Sequence, residues 1–271
     1  LVLENRRLLH IVESGDPAAR LIFGTSDLSN VTRAKVRRAA MSEAEVLVTG
    51  PYGSGISKVS EVVHMCSPRA KEPFVKRAAE GLGAQDLTEA LRITGRGSLF
   101  LDEVTQLPAQ TQLTLIEALE GASKARLIAG STRDLHTLVG EGRFHADLYY
   151  RLEVMTVRIP SLAERPEDIP TLFRRYVAQA AEQSGLNAPE VTPQVIAGLM
   201  ARDWPGNARA LMNAAMRFVM GVADDVAPDA GLGLAEQMAQ VERSLLQAAL
   251  RRAGGQATAA AEALKLPRKT F

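Results

Sequence analysis

The chain has 271 residues, enough for one large domain or two smaller ones with a sizeable core. It is 46% hydrophobic and 23% charged, which excludes a disordered chain, and a formal net charge of +1 argues by itself for no charged partner. Cys66 is the single cysteine, which excludes an internal disulfide and fits a reducing cytoplasm.

The chain opens with "LVLENRRLLHIVES" (1–14), apolar at helical spacing and too charged for a secretory signal. "AEVLVTG" (44–50) is a short apolar run ending in glycine, a buried strand. "SKVSEVVHMCS" returns to helical spacing, so residues 46–66 read as strand, glycine-rich turn, helix. "GSLFLDEV" (97–104) is a second buried strand with two carboxylates at its end, and "PAQTQLTLIEALEGA" is an amphipathic helix. "ARLIAGSTRD" (125–134) and "VMTVRIP" (154–160) are further strands. Strands alternating with helices predict an α/β fold, a parallel sheet with helices on both faces.

The character changes near Pro160. From there to Gly221 three segments read as helices, a smaller all-α subdomain. "VADDVAPDAGLG" carries three Asp, a Pro and two Gly and reads as linker. The expected organisation is an α/β subdomain over 1–160, a helical subdomain over 161–221, a linker over 222–235 and a helical tail over 236–271. Six Lys or Arg against three Glu leave that tail at +3. No run of about 18 apolar residues predicts a membrane span.

The chemistry begins at "GPYGSGIS" (50–57). The spacing is that of a phosphate-binding loop, G-x-x-x-x-G-K-[ST], with Ile56 in the lysine position. Gly50, Gly53 and Gly55 let backbone N–H groups converge on phosphate oxygens around Ser54, ahead of a helix N-terminus. Ser57 stands where Mg²⁺ is usually ligated. Ile56 has neither donor nor charge, and removing one positioned electrostatic stabiliser typically costs about 10²–10³ in rate. Lys58 is two residues further on, roughly 200° round the helix, and is not expected to substitute. In "SLFLDEV", Asp102 would hold Mg²⁺ through water and Glu103 would polarise the attacking water. Taken alone, the loop is a strand–turn–helix without ligand, and the acids are a solvated strand end. Together, about 50 residues apart, they read as one site. His10, His64 and His136 have no metal-binding partners at ligand spacing and read as structural or surface residues. Cys66 reads as a buried small hydrophobe, and Trp204 as a packing anchor.

Beyond these motifs, "LVLENRRL", "HMCSPRAKEPFV", "GSLFLDEVTQLPAQTQLTLIEALE", "RLIAGSTRDL", "GRFHADLYYRLEVMTVRIPSLAERPEDIPTL" and "DWPGNARALMN" together resemble the AAA+ module of bacterial enhancer-binding proteins, the sigma-54-dependent activators. The segments keep the family's order and cover nearly all of residues 1–220. The ending "GGQATAAAEALKLPRKTF" resembles the Fis-like helix-turn-helix that follows this module, and its last residues are most similar to regulators of C4-dicarboxylate transport. The resemblance implies an AAA+ P-loop fold, an α-helical lid and a helix-turn-helix tail.

Carried over residue by residue, the resemblance puts the sensor I polar residue at Ser131 or Thr132 and the sensor II arginine at Arg209. Of two arginines that reach a neighbouring subunit's nucleotide, it keeps Arg151 and places His145 at the other. A histidine lacks the guanidinium fork and is only partly charged near neutral pH. About two dozen residues that the family carries between "PFV" and "LFLDE", including the GAFTGA loop that touches sigma-54, are missing. In the tail, Pro267 suits a first helical position, and Arg268, Lys269 and Thr270 would start a recognition helix that contacts bases or phosphates in the major groove. That helix is cut off at Phe271, so weak DNA binding is expected.

The losses imply a degenerate member: a regulator that binds double-stranded DNA, self-associates, works with the housekeeping RNA polymerase holoenzyme or by repression, and binds ATP or ADP with Mg²⁺ weakly, with little hydrolysis. Two alternatives stand beside it. One is an active ATPase in which Lys58 or a neighbouring subunit replaces the lysine. The other is a scaffold without nucleotide that dimerises the DNA-binding tail. A receiver domain is expected before residue 1, and the bacterial nucleoid is the expected location.

Overall fold

The computed structural model describes residues 15–121 and 123–222, and in the tail residues 242, 246, 249, 250, 253, 254 and 256–264. The helix expected over 1–14 lies outside these residues, as do Arg268, Lys269 and Thr270. The chain divides into two compact units, Leu1–Ser161 and Leu162–Phe271.

The first unit runs α1 (Pro17–Leu21), α2 (Asp27–Met41), β1 (Val46–Thr49), α3 (Ile56–Met65), β2 (Phe74–Ala78), α4 (Ala84–Thr94), β3 (Ser98–Asp102), α5 (Ala109–Glu120), β4 (Arg126–Ser131), α6 (Leu135–Gly140), α7 (Ala146–Glu153) and β5 (Thr156–Arg158). The five strands form one sheet in the order β2-β3-β4-β1-β5. All four pairings are parallel, as the alternation of strands and helices predicts. Side chains alternate across the sheet with period two. Leu47, Leu99, Leu101, Leu127 and Ala129 face one core, closed by α4, α5 and α7. Val46, Val48, Phe100, Ile128 and Val157 face the other, closed by α1, α2 and α3. Burying each large apolar side chain contributes roughly 1.5–3 kcal/mol, so this two-sided burial is the main stabilising term.

Two elements have weak sequence signals. Helix α2 buries Ser29, Thr32, Val36, Ala39 and Ala40, a face of small and polar residues with no leucine stripe. Its start is fixed by Ser26, whose side chain accepts from the Ser29 N–H at 3.0 Å. Strand β2 lies at a sheet edge, and its Lys76, Arg77 and Ala78 are exposed. Cys66, expected to be buried, is half-buried against the second core, and burial pushes its thiol pKa up.

Arg126 ties β4 to the end of α2. It is 3% exposed. Its guanidinium donates to the carbonyls of Ala44 at 3.1 Å, Ala40 at 3.3 Å and Ala39. The last carbonyls of a helix have no intrahelical i+4 donor; Ala39 also accepts from the Ser42 N–H at 3.2 Å, and the fork serves it together with Ala40 and, just past the helix, Ala44. His64 is a second buried polar group: its Nδ1 lies 2.9 Å from Ser98 Oγ and its ring stacks on Phe74 at 5.1 Å. Burial holds its pKa below the ordinary value.

In the second unit, a turn at Pro166–Asp168 leads into α8 (Ile169–Ser184), followed by α9 (Pro193–Met200) and α10 (Asn207–Val219). Gly185, at φ 65°, ends α8 in the left-handed conformation a helix C-terminus favours. Thr192 caps α9 and Pro193 opens it. Phe173 packs on Phe218 at 5.6 Å. The Trp204 indole donates to the Leu199 carbonyl at 2.9 Å, and Asn207 accepts from the Leu162 N–H at 2.9 Å. Among the described tail residues, α11 (Ala257–Ala263) is the alanine-rich helix expected there, with Ala260 and Ala261 buried.

Arg126→Met should lower stability by about 2–4 kcal/mol, because it strands buried carbonyls. Urea unfolding measures this; a loss under about 0.5 kcal/mol would mean the carbonyls have other donors. For His64, the unfolded chain takes up its proton first, at about pH 6.5, so its contribution to stability is complete above that pH. It should fall as the pH drops from there through the lowered folded-state value. Urea midpoints at falling pH should shift less in His64→Gln than in the wild-type chain; equal slopes would dissociate His64 from the effect.

Candidate functional site

Strand β1 ends at Thr49, and "GPYGSG" carries the chain from the sheet to the first turn of α3. Gly53 has φ 73° and Gly55, the N-cap of α3, has φ 99°, a region that an L side chain rarely adopts. The loop therefore curls back over the helix end, where the first-turn N–H groups have no intrahelical acceptor and the helix dipole favours an anion. Ser54 is 6% exposed, and its Oγ has no hydrogen-bond partner. It lies 2.6 Å from where a Cβ on Gly50 would sit, on the side of that glycine that packs against Ile159. A buried hydroxyl left unpaired is costly, so the loop carries a local penalty here.

Ile56 does not line that hollow. It is 7% exposed and belongs to the core beneath the loop, with Val48, Phe100 and Ile128. A Cβ added to Gly130 on β4 would come within 2.7 Å of Ile56 Cγ2. Only the backbone of Ile56 remains for an anion. Lys58 pairs with Glu61 at 3.1 Å on the exposed side of α3. Ser57 is half-buried, and Lys76 on β2 donates from its Nζ to the Ser57 Oγ.

The carboxylates lie at the same edge of the sheet. Asp102 ends β3 and is exposed. Glu103 follows at φ 53°, a left-handed conformation that costs a non-glycine residue of order 1–3 kcal/mol. Its carboxylate is held by Thr132, from the backbone N–H at 3.1 Å and from Oγ1 at 3.1 Å. Ser131 is fully buried and turned onto Arg133: its Oγ donates to the Arg133 carbonyl at 2.9 Å and accepts from the Arg133 N–H at 3.0 Å. Of the two sensor I positions read from the sequence, Thr132 is therefore the one that reaches the acidic pair. Periodicity could not separate these neighbours. A cleft of about 480 Å³ adjoins the start of the loop, lined among others by Gly50, Pro51, Ser131, Thr132, Asp134 and Tyr149. The Tyr149 hydroxyl donates to Glu153 at 2.7 Å, which pushes its pKa up to about 12.

Of the other carried-over residues in this unit, Arg151 is not gathered there. Arg151 lies 3.7 Å from both Glu45 and Glu120 of its own chain. Glu45 precedes β1, so Arg151 stands at the opposite edge of the sheet from the loop. His145 caps α7, its Nδ1 accepting from the Asp147 N–H at 3.3 Å. Arg209 lies exposed in the first turn of α10, in the second unit. A larger cavity, of about 640 Å³, also opens at the Glu45 edge. Its Arg69 is spent on the carbonyls of Lys124 at 2.6 Å and Arg96 at 2.9 Å, and ligands of open parallel sheets bind at the other edge. Among the described residues, no three His, Cys, Asp or Glu side chains converge as a metal site, and no helix is long and apolar enough to cross a membrane.

A parallel sheet whose first strand feeds a glycine loop and helix, with an acidic pair on the third, and a helical unit after it, defines an AAA+ P-loop protein with a helical lid. Comparison with known proteins narrows the class. Residues 23–162 match the sigma-54 interaction domain, 163–230 the AAA+ ATPase lid domain and 237–271 the bacterial regulatory protein, Fis family. The C4-dicarboxylate transport transcriptional regulatory protein DctD of Pseudomonas aeruginosa is 38% identical, over all of this chain and 67% of its own length. Transcriptional regulatory protein ZraR of Escherichia coli K12 is 31% identical, over 97% of this chain and 70% of its own. NtrX from Brucella abortus, solved in complex with ADP, superposes with a TM-score of 0.74 at 28% identity, over 98% of this chain and 73% of that one. The chain belongs to the sigma-54-dependent type of DNA-binding transcriptional regulators. The DctD alignment spans 310 positions against 271 residues here, so this chain lacks residues that relative has.

The packing of Ile56 makes a direct prediction. Ile56→Ala should cost about 2–4 kcal/mol of stability, as for a core isoleucine. Thermal or urea unfolding checks it; a cost within about 0.5 kcal/mol, typical of surface sites, would place the side chain in the loop instead.

Proposed function

We propose that this regulator keeps nucleotide binding as a structural or regulatory device and has lost rapid hydrolysis. The observation that carries this reading is the split between backbone and side chains at the loop. The glycine geometry and the helix N-terminus suit a phosphate chain, while the lysine position is filled by a core isoleucine. The ADP and ATP complexes of NtrX support it by likeness of fold.

In this reading the loop backbone from Gly50 to Ser57 holds ATP or ADP weakly. Thr132 holds Glu103, the residue placed to orient water, and Arg209 of the lid is the sensor II residue. Arg151, engaged by Glu45 and Glu120, is vestigial as a finger, and a missing arginine finger costs about 10³–10⁵ in phosphoryl transfer. Without a GAFTGA loop the protein acts independently of sigma-54, as a self-associating regulator on double-stranded DNA, with the housekeeping polymerase or as a repressor. A receiver domain on its N-terminal side would deliver the signal, and the bacterial cytoplasm is its place of work. The fold divides into an α/β subdomain over 1–160, a lid over 161–221, a linker over 222–235 and a DNA-binding domain over 236–271, where Arg268, Lys269 and Thr270 meet the DNA.

Calorimetric titration with ATP and ADP, beside a phosphate-release assay, tests the nucleotide reading. Measurable binding is expected, with release at least about 10²–10³ below that of a relative with an intact lysine. Turnover equal to such a relative would reject the loss of hydrolysis. For DNA, Lys269→Ala should weaken binding across sequences and reduce the salt slope by about 1. An unchanged slope in fluorescence anisotropy would remove Lys269 from the phosphate contacts.

A further inference from the structure

Lys76 is not part of the phosphate loop and has no place in the loop motif. It sits in the middle of edge strand β2, in parallel register with Phe100 of β3, while Ala78 two residues on is in register with Asp102. Residues in register share a face of the sheet, so Lys76 lies on the face that α3 covers. Its Nζ lies over the Phe100 ring, 5.8 Å from the centroid. Its ammonium donates to the Ser57 Oγ at the start of α3. The chain therefore brings a full positive charge to the first turn of this helix from edge strand β2.

Two features meet at the start of this helix: its N-terminus with unpaired first-turn amides, and the Lys76 ammonium on Ser57. Both suit a phosphate chain. The ammonium does not suit Mg²⁺. A divalent ion at this loop would use the Ser57 oxygen as ligand, and it would have to share that oxygen with an ammonium whose charge repels a second cation. The nucleotide fits these residues and the magnesium ion does not.

We propose that Lys76 takes over the work of both the missing loop lysine and the metal, so that this site binds the phosphate chain of a nucleoside di- or triphosphate without a divalent cation. This deepens the nucleotide reading above and rests on it. Ile56 can then belong to the core because the charge arrives from β2. A lysine ammonium serves as a point charge and needs no fixed fork to meet a phosphate oxygen. Asp102 and Ser57 consequently carry no metal in this chain.

The test is titration of the full chain with ADP and, separately, with inorganic pyrophosphate, each in excess EDTA and in excess Mg²⁺. Lys76→Met and Lys76→Arg are measured alongside. Methionine keeps the apolar stem of the side chain, and Lys76 is exposed, so both variants should melt with the wild type. The wild-type chain should bind both probes in EDTA, within about twofold of its affinity in Mg²⁺. Lys76→Met should lose about tenfold or more in EDTA, and Lys76→Arg should recover most of it. Lys76→Met indistinguishable from wild type, or wild-type binding that fails in EDTA and returns with Mg²⁺, would overturn the proposal and leave the nucleotide reading standing. Lys76-dependent binding of pyrophosphate without binding of ADP would keep the metal-free phosphate site and reject the nucleotide. Binding of neither probe under either condition would overturn both.

Discussion

The contact between Ile56 and the sheet governs this site. A β-branched side chain at the first position of α3 packs over Gly130 beside Phe100, where a side chain on Gly130 would have no room. The contact pins the start of the helix to β4 and so fixes the curl of the loop between Thr49 and Ile56. A lysine at this position would have to send its charged end out over the loop, because burying an unpaired ammonium is prohibitive. Isoleucine goes the other way. The same residue that removes the charge from the loop strengthens the scaffold beneath it, which is why the backbone cradle survives the loss of its side chain.

Electrostatics around the loop follow from that choice. Lys76 reaches the start of α3 from edge strand β2, which pairs with β3 and not with β1, and Glu103 after β3 is held by Thr132. Glu103 is in a strained conformation and held by Thr132, so the fold spends energy to keep this carboxylate on a β4 residue. Arg151 is surrounded by carboxylates of its own chain at the far edge of the sheet. Each of these groups has a partner in its own chain, an arrangement that fits the proposed role of holding a nucleotide rather than turning it over.

The stability of the sheet rests on more than apolar alternation. At the edge away from the loop, the Arg126 guanidinium closes the end of α2 through the carbonyls of Ala39 and Ala40 and holds that of Ala44 just beyond it. On the α3 side, His64 joins that helix to β3 through Ser98 and stacks on Phe74 of β2. These buried polar groups are specific as well as stabilising: each has one arrangement in which its hydrogen bonds are satisfied, and that arrangement sets where a helix meets a strand. Strand β2, exposed and charged along half its length, is held in place in part by that stacking, and β2 is the strand that carries Lys76.

Much of this protein was legible from the order of its residues. Apolar runs of strand length separated by helical periods determined a parallel α/β unit, and the change of pattern near Pro160 determined a helical one, because burial of one face is a local, periodic property. The glycine spacing of 50–57 and the acids after "SLFL" determined where a phosphate site would lie. Helix α2 stayed hidden because its buried face is serine, threonine and alanine with a single valine, and small side chains give little periodic contrast. Tertiary structure alone decided the rest. Only the packing of α3 on β4 shows that Ile56 belongs to the core, and only the fold distinguishes Thr132 from Ser131. Lys76 and Ser57 are 19 residues apart in sequence. They meet because a parallel edge strand runs beside the strand that faces α3, and no spacing rule along the chain encodes a contact made across a sheet.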